Sequence, residues 1–254
     1  MEEEKKGLSY EELVERFRQK VACIPEECHK AIMFWRLAKE IQKARIAAEN
    51  NLRQVVEIGK KVFYANNEIP EEIKSVMVRG DQKYFDSLRK QEASFARACD
   101  KAFKETQWFN EVTVPAAEGE GIGPMMAGEF LWTIGSAHRF PSFGRLVRYA
   151  GLDVQNGKAP KRQKGQRVTW NPQLRTALYK LSENWNRNPE GIWRARWDGW
   201  KVWYAENRPH ILDKKGGKGH VHNMARRKVQ REFLRNLYGL WWEYEEETSY
   251  RGGD

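Results

Sequence analysis

Hydrophobic and polar positions follow a helical period along most of this chain. Between residues 29 and 64, apolar side chains recur at steps of three and four, with Lys, Arg and Glu between them. This spacing predicts one long amphipathic helix, whose apolar stripe consists of Leu37, Ile41, Ala44, Ala48, Leu52, Val55 and Val62. Asn66, Asn67 and Pro70 interrupt it, and a second pattern predicts another helix over residues 82–104. The two helices are expected to form an antiparallel hairpin or a coiled coil, and a stripe of this length is a frequent dimerisation surface.

The pattern changes after the second helix. Glycines and prolines punctuate residues 112–123, which predicts a turn-rich linker and a domain boundary near residue 111. Shorter helices are predicted beyond it, over residues 125–135, 142–150, 172–186, 192–204 and 221–244, and strand patterns are weak throughout. We therefore predict an all-α fold. Residues 1–110 would form a helical hairpin or coiled coil that mediates dimerisation, and residues 111–254 a compact, basic, nucleic-acid-binding domain.

Charge adds a partner to this outline. The 254 residues include 45 Lys and Arg against 35 Asp and Glu, a net charge of +10, which favours a polyanionic partner. Residues 154–182 contain seven basic residues and no Asp or Glu. Such a local excess is typical of a surface that contacts a phosphate backbone. The alternative is a loop that only aids solubility, although its self-repulsion would then cost stability.

A glycine turn precedes this basic stretch. The run from Glu120 to Pro124 reads Glu-Gly-Ile-Gly-Pro, and the apolar residues after it have the spacing of a helix-hairpin-helix element. Glycines let backbone N–H groups and the positive end of the next helix approach a phosphate with no side chain in the way. The alternative is that the glycines only cap and begin a helix. The basic context downstream favours the phosphate-binding interpretation.

Tryptophans concentrate in the same half of the chain, with eight of the eleven at or after Trp170. Trp193, Trp197, Trp200 and Trp203 share one helix face and are interpreted as a core seam. Trp170 lies at the end of the basic stretch and is the better candidate for stacking on a base or a guanidinium. The candidate nucleic-acid-binding residues are Gly121, Ile122, Gly123, Arg139, Arg145, Arg148, Lys158, Lys161, Arg162, Lys164, Arg167, Trp170, Asn171, Arg175, Lys214, Lys215, Lys218, His220, Arg226 and Arg227.

No other chemistry stands out. Cys23, Cys28 and His29 lack a fourth metal ligand at a standard spacing, and the histidines have no adjacent nucleophile, so we predict no catalytic residues, no metal and no cofactor. The N-terminus lacks an apolar signal region and no apolar run is long enough to span a bilayer. We expect a cytoplasmic protein of a prokaryote, a prokaryotic mobile element or a virus, with no membrane partner.

Several short motifs in a fixed order resemble the C-terminal domain of the bridge-RNA-guided insertion-sequence transposases. The similarity covers roughly residues 111–240. Its motifs are Ile122-Gly123-Pro124, Ala127, Ile134-Gly135, His138-Arg139-Phe140, Tyr149-Ala150-Gly151-Leu152, the basic loop, Asn171-Pro172-Gln173-Leu174-Arg175 and the helical segment 218–238. The preceding helical pair is similar to the coiled coil that these enzymes place before that domain.

Two departures from that family bear on activity. The transposases begin with a RuvC-like nuclease domain, which we expect this chain to lack because about 110 residues precede the similarity. They also carry a catalytic Ser after the Ala-Gly-Leu motif, where this chain reads Asp-Val-Gln-Asn-Gly-Lys and the next Ser is Ser182. The architecture is also similar to the Nop domain and to Tas proteins of tandem interspaced guide RNA systems, including their nuclease-less form. That resemblance implies a guide RNA, a target DNA and a homodimer, and a separate nuclease is an optional further partner.

Three functions stay open at this point. The first is an RNA-guided DNA-binding protein without nuclease activity. The second is an architectural or regulatory DNA-binding protein derived from a transposase that uses no RNA. The third is a transposase or recombinase whose active site is non-standard or supplied by a partner.

Overall fold

Every regular element that the structure describes is helical, which confirms the predicted all-α class. A computed structural model describes the backbone of residues 9–63, 71–154, 157, 159–213 and 215–251. The helices are α1 (Tyr10–Val21), α2 (His29–Phe63), α3 (Glu71–Lys104), α4 (Val114–Ala116), α5 (Pro124–Ile134), α6 (Phe143–Tyr149), α7 (Pro172–Arg187), α8 (Ile192–Asn207) and α9 (Gly217–Arg251). A π-helical segment, Trp108–Thr113, runs directly into α4. Within the described ranges, no helix combines the length and the apolar content needed to cross a membrane.

The chain divides into two compact units. One consists of Lys30–Ala102, and the other of Met1–His29 together with Phe103–Asp254. The predicted assignment of dimerisation to residues 1–110 and nucleic-acid binding to residues 111–254 concerns function, and it stays a prediction. Helix α1, which the sequence analysis did not predict, belongs to the larger unit. Ser9 caps it in a box with Glu12, and the ring of Phe17 lies 5.8 Å from that of Trp132.

The smaller unit is an antiparallel helical hairpin. Gln42 and Arg45 of α2 donate to Glu92 of α3 at 2.8 and 2.9 Å, and Arg89 donates to Glu49 at 3.0 Å. Later residues of α2 therefore meet earlier residues of α3. Helix α3 begins at Glu71, eleven residues before the predicted start at 82. A helix extends wherever its backbone hydrogen bonds continue, so α3 begins before the apolar pattern from which its start was predicted.

The predicted stripe on α2 is only partly correct. Leu37 remains 39% exposed and Ala44 is exposed, whereas Trp35 and Ala38 are buried. Half-buried Arg45 and its carboxylate partners occupy the face toward α3, where ion pairs satisfy the charges. The side chains of Val55 and Val62 lie outside the described residues.

The larger unit is built around α9. Its buried stripe includes Val229, Phe233 and Leu237, as predicted from their spacing. The ring of Phe233 lies 5.2 Å from Phe130 of α5 and 5.6 Å from Trp185 of α7. Helix α9 therefore forms the wall against which the elements of the candidate site are assembled.

The interpretation of residues 112–123 as a linker is wrong for its first half. Val112, Ala116 and Ala117 are buried in the core of the larger unit. The preceding π-helical segment is held at its start by Glu27, whose carboxylate accepts from the N–H groups of Gln107 at 2.9 Å and Trp108 at 2.7 Å. Helix starts leave such N–H groups without intrahelical partners, and here a distant carboxylate supplies them.

Candidate nucleic-acid interface

The glycine turn forms where the sequence placed it, between α4 and α5. Gly121 adopts a positive φ of 72°, and Gly123 caps α5 while Pro124 occupies its first turn. A β-carbon on Gly121 would lie 3.0 Å from Trp185 Cδ1. Both the backbone conformation and the close approach of an indole therefore require glycine at position 121.

Long-range hydrogen bonds hold this turn against α7 and α8. Trp185 Nε1 donates to the carbonyl of Glu120 at 3.1 Å, and Asn184 donates to that of Gly121 at 3.4 Å. The Glu120 carboxylate accepts from Ile192 N at 3.0 Å and Trp193 N at 3.5 Å, so it caps α8. The turn thus has a structural role, which agrees with the capping alternative. Gly121 and Gly123 are exposed and Ile122 is half-buried, so phosphate contact there stays a prediction.

The arginines around α6 fall into two groups. Arg145 and Arg148 are exposed on the helix. Arg139 donates to the carbonyl of Ile134 at 3.2 Å, and its guanidinium lies 5.0 Å from the centre of the Tyr149 ring. Arg139 is also exposed, but these contacts involve it in the packing of α6, while Arg145 and Arg148 present their charge on the helix itself.

Asn171 is engaged within the protein. Its side-chain oxygen accepts from Gln173 N at 2.9 Å and Leu174 N at 3.0 Å, which caps α7. Its Nδ2 donates to the Tyr149 hydroxyl at 2.7 Å. These contacts give Asn171 a structural reason to be present, and a contact with nucleic acid stays a prediction.

A segment that we call the cationic loop, residues 159–168, connects α6 to α7. Lys161, Arg162, Lys164 and Arg167 are all exposed on it. Arg175 of α7 ties down its first part by donating to the carbonyl of Pro160 at 3.0 Å. The loop therefore presents four cations from an anchored base. Lys158 lies outside the described residues.

Trp170 follows the cationic loop and is held from two sides. A β-carbon on Gly151, where φ is +68°, would lie only 2.7 Å from Trp170 Cγ. The Arg175 guanidinium lies 5.0 Å from the centre of the Trp170 ring. The structure thus shows this indole stacked near a guanidinium, one of the two partners that the sequence predicted for it.

A cleft of about 480 Å³ opens between the cationic loop and α7. Residues 160–162, Val168 and Trp170 form one wall. The other wall is the face of α7 that carries Pro172, Arg175, Thr176 and Tyr179, which are spaced at three and four residues. Among the described residues that line the cleft, Lys161, Arg162 and Arg175 are basic, the others are uncharged, and none is acidic. Sequence reasoning missed Tyr179, although its spacing from Arg175 was a usable signal.

Basic residues of α9 and of the segment just before it divide in the same way. Lys215, Lys218 and His220 are exposed at its start, and Lys214 lies outside the described residues. Arg227 donates to the carbonyls of Gly151 at 3.4 Å and Asp153 at 2.9 Å, so it fixes the loop after α6.

Arg226 belongs to an internal cluster. Its Nη2 lies 2.9 Å from Glu183 Oε1, an ion pair by distance that lacks hydrogen-bond alignment. The same nitrogen lies 3.2 Å from His222 Nε2, and the guanidinium lies 4.6 Å from the centre of the Tyr179 ring. Arg226 thus supports one wall of the cleft from behind.

Two guanidiniums beside the cleft are partly desolvated. Burial lowers the pKa of Arg175, and the charge of Asp153 opposes this effect. Burial and the nearby charge of Arg175 lower the pKa of Arg227, again against Asp153. Both groups stay charged at neutral pH, because an arginine does not lose its proton in a protein. Their mutual repulsion makes an added anion favourable here.

The hydroxyl of Ser182 and the thiols of Cys28 and Cys99 are poorly suited to act as nucleophiles. Ser182 is fully buried and donates to the carbonyl of Tyr179 at 2.8 Å. Burial raises the pKa of Cys28, and it raises the pKa of Cys99 to about 12, so both thiols are protonated at neutral pH. Among the described residues, no three His, Cys, Asp or Glu side chains group as a metal site.

The seam of tryptophans on α8 is confirmed for Trp193 and Trp197, which are fully buried. It is wrong for Trp203, which remains 41% exposed. The face of α8 that carries the tryptophans is wider than the contact of α8 with α9, so the outer residues of that face remain exposed to solvent.

A protein-family model matches the part of the chain that contains the candidate site. Residues 117–197 match the model of the IS116/IS110/IS902 transposase family, which is 81 of 254 residues. The match begins just before the glycine turn and includes the turn, the cationic loop, the cleft and the first part of α8. The chain therefore carries a transposase-related domain. No curated protein and no solved structure matches the chain.

This match bears on the question of activity. The family consists of recombination-type enzymes, which does not fit well with the expectation that the chain is not an enzyme. The match shows no catalytic site by itself.

Proposed function

We propose that this chain is an RNA-guided DNA-binding protein, which holds a guide RNA on its transposase-related domain and has no nuclease activity of its own. The observation that carries the proposal is the cationic loop. It presents Lys161, Arg162, Lys164 and Arg167 to solvent within a stretch that has no acidic residue between positions 154 and 182. Four adjacent cations release condensed counterions when they meet a nucleic-acid backbone.

The cleft favours a single strand as the primary partner. Aromatic side chains that line a basic surface stack on unpaired bases, which RNA offers in its loops and ends. A duplex keeps the faces of its bases stacked inside, so only base edges in the grooves and the phosphates remain accessible. Sequence choice would then come from pairing between the held RNA and DNA, in the manner that the likeness to Tas proteins implies.

Co-purification is the direct test. The full chain would be purified from the cells that encode it, and the nucleic acid that accompanies it would be sequenced. We expect one discrete class of short RNA. Recovery of random RNA fragments would contradict the guide-RNA proposal, and tight duplex binding that survives ribonuclease would favour the RNA-independent architectural alternative.

A charge-matched pair of variants shows where the RNA is held. The first variant replaces the four cations of the cationic loop with Gln. The second replaces four exposed cations on α3, namely Lys83, Lys90, Arg97 and Lys101. Both lose the same net charge, so only the first is expected to lose the co-purified RNA. Equal losses would mean that overall charge, and not this loop, holds the partner.

The homodimer is part of the same proposal. On α2, Met33 is 61% exposed, Leu37 is 39% exposed and Ala44 is exposed, and steps of four and seven residues place all three on one face. Met33→Glu with Leu37→Glu would convert a dimer to a monomer in light scattering. An unchanged mass would remove this face from the proposal. A separate nuclease, as a further partner, would appear in the same purification.

A transposase or recombinase is the second candidate, favoured by the family match. Its active site would be non-standard or completed by a partner. Strand cleavage or joining by the pure chain with magnesium, abolished by one substitution, would replace the first proposal by this one.

A further inference from the structure

We propose that the cleft between the cationic loop and α7 holds one unpaired nucleotide, with its base stacked on Tyr179 and its phosphate beside Lys161 and Arg162. This extends the proposed function and rests on it, because the same domain must hold a single strand. The occupant is defined by its chemistry, a flat aromatic base attached to a phosphodiester.

Tyr179 is presented as a stacking surface. It is 48% exposed, although most aromatic residues of this unit are buried. Its ring is supported by the Arg226 guanidinium at 4.6 Å, and Glu183 holds that guanidinium in turn. A ring that is already held in place loses little conformational entropy when a base stacks on it.

The opposite wall suits the remainder of a nucleotide. The half-buried Trp170 and Val168 provide an apolar surface, and the Trp170 ring is fixed by Gly151 and Arg175. The exposed Lys161 and Arg162 stand at the cationic-loop wall of the same cleft. A base on the aromatic residues thus places its phosphate within reach of cations.

Size and charge select this occupant. A volume of about 480 Å³ lies within the range of pockets that hold one small molecule. It is too small for a duplex, whose major groove alone is about 12 Å wide. Because the described lining residues carry positive and no negative charge, an anionic nucleotide complements them better than a neutral aromatic ligand.

The experiment uses the full chain and three labelled probes of equal length, namely oligouridine, oligodeoxythymidine and a phosphodiester backbone without bases. Tyr179→Ala removes the ring, and Tyr179→Phe keeps it. Tyr84→Ala is the matched control, because Tyr84 is 56% exposed and lies in the smaller unit. Circular dichroism and thermal melting verify that each variant is folded.

Stacking on one aromatic residue typically changes affinity by about 10- to 100-fold. We expect Tyr179→Ala to weaken oligouridine binding by this factor, and Tyr179→Phe and Tyr84→Ala to leave it unchanged. The probe without bases should bind weakly and be indifferent to Tyr179→Ala. A similar loss with oligodeoxythymidine would assign the cleft to DNA as well as RNA, and a loss with oligouridine alone would assign it to RNA.

Two results overturn the inference and are distinguishable from failure of the proposed function. If Tyr179→Ala binds oligouridine as the wild type does, while the Gln variant of the cationic loop has lost binding, the loop holds the strand and the cleft does not. If the probe without bases binds as tightly as oligouridine, no base enters the cleft. If the wild type binds none of the probes and retains no RNA, the proposed function fails as well.

Discussion

Gly151→Ala tests the packing that shapes one wall of the cleft. Gly151 is buried and has a φ of +68°, a conformation that costs an alanine about 1–2 kcal/mol. Its new β-carbon would also lie 2.7 Å from Trp170 Cγ and 2.9 Å from Trp170 Cδ1, so the indole or the backbone must shift. Such overpacking typically costs about 1–3 kcal/mol. The expected total loss of stability is therefore about 2–5 kcal/mol.

Gly165→Ala is the matched control for the backbone contribution. Gly165 has a φ of +78° and lies in the cationic loop, where an added β-carbon would meet nothing within 4 Å. The difference between the two variants isolates the contact with Trp170, about 1–3 kcal/mol. For a chain of this length, that corresponds to a further drop in melting temperature of roughly 2–12 °C.

Urea unfolding followed by far-UV circular dichroism, together with thermal melting, measures both variants. The reasoning also predicts that Gly151→Ala weakens single-strand binding, because a displaced Trp170 reshapes the cleft. Equal stability losses in the two glycine variants would refute the contact between Gly151 and Trp170. A destabilised Gly151→Ala protein with unchanged single-strand affinity would show that Trp170 has no part in binding.

Three further predictions concern capping, pH and salt. Glu120→Gln weakens the cap on α8 and should lower the free energy of unfolding, measured in urea, by about 1–3 kcal/mol. Glu190→Gln, at an exposed site, should lower it by almost nothing. Equal losses in the two variants would contradict the capping role. Burial, with the charges of Lys201 and Arg226, lowers the pKa of His222 below 6.5. The contribution of His222 to stability should therefore be full above pH 6.5 and fall as the pH decreases toward the lowered pKa. Urea unfolding on either side of pH 6.5 should show a flatter dependence of stability on pH for His222→Gln, and an unchanged dependence would exclude His222 as the cause. The Gln variant of the cationic loop should reduce the slope of log K against log salt by about 0.7 for each lost phosphate contact with a single strand; an unchanged slope would mean that these cations do not meet phosphates.

Much of the fold could be predicted from local pattern. The helices at α5 to α8 agree with the predicted ranges to within three residues, because glycines, prolines and capping residues mark their ends. The burial of Phe233 and Leu237 followed from their spacing alone. Boundaries failed where local signals were weak, at the start of α3 and across α1, because packing and backbone hydrogen bonds continue a helix without a strong apolar period.

The candidate site could be predicted only in part. The acid-free composition of the cationic loop identified a charged surface, because an exposed loop owes its charge to its own residues. The roles of Asn171, Arg226 and Arg227 could not be predicted, since their hydrogen-bond and ion-pair partners include residues distant in sequence. The role of Glu120 likewise could not be predicted, because its contact is with the start of α8, 72 residues further along the chain.

The sequence by itself thus determined the helical class, the glycine turn and the place of the charge, because each depends on residues that are neighbours in the chain. Tertiary structure alone decided which cations remain exposed and which are used inside the protein. It also brought Tyr179 and Trp170 to one cleft, because an aromatic on α7 and an aromatic after a loop meet only when both pack on the same unit. Long-range packing selects among the surfaces that local pattern permits, and the proposed nucleotide site depends on that selection.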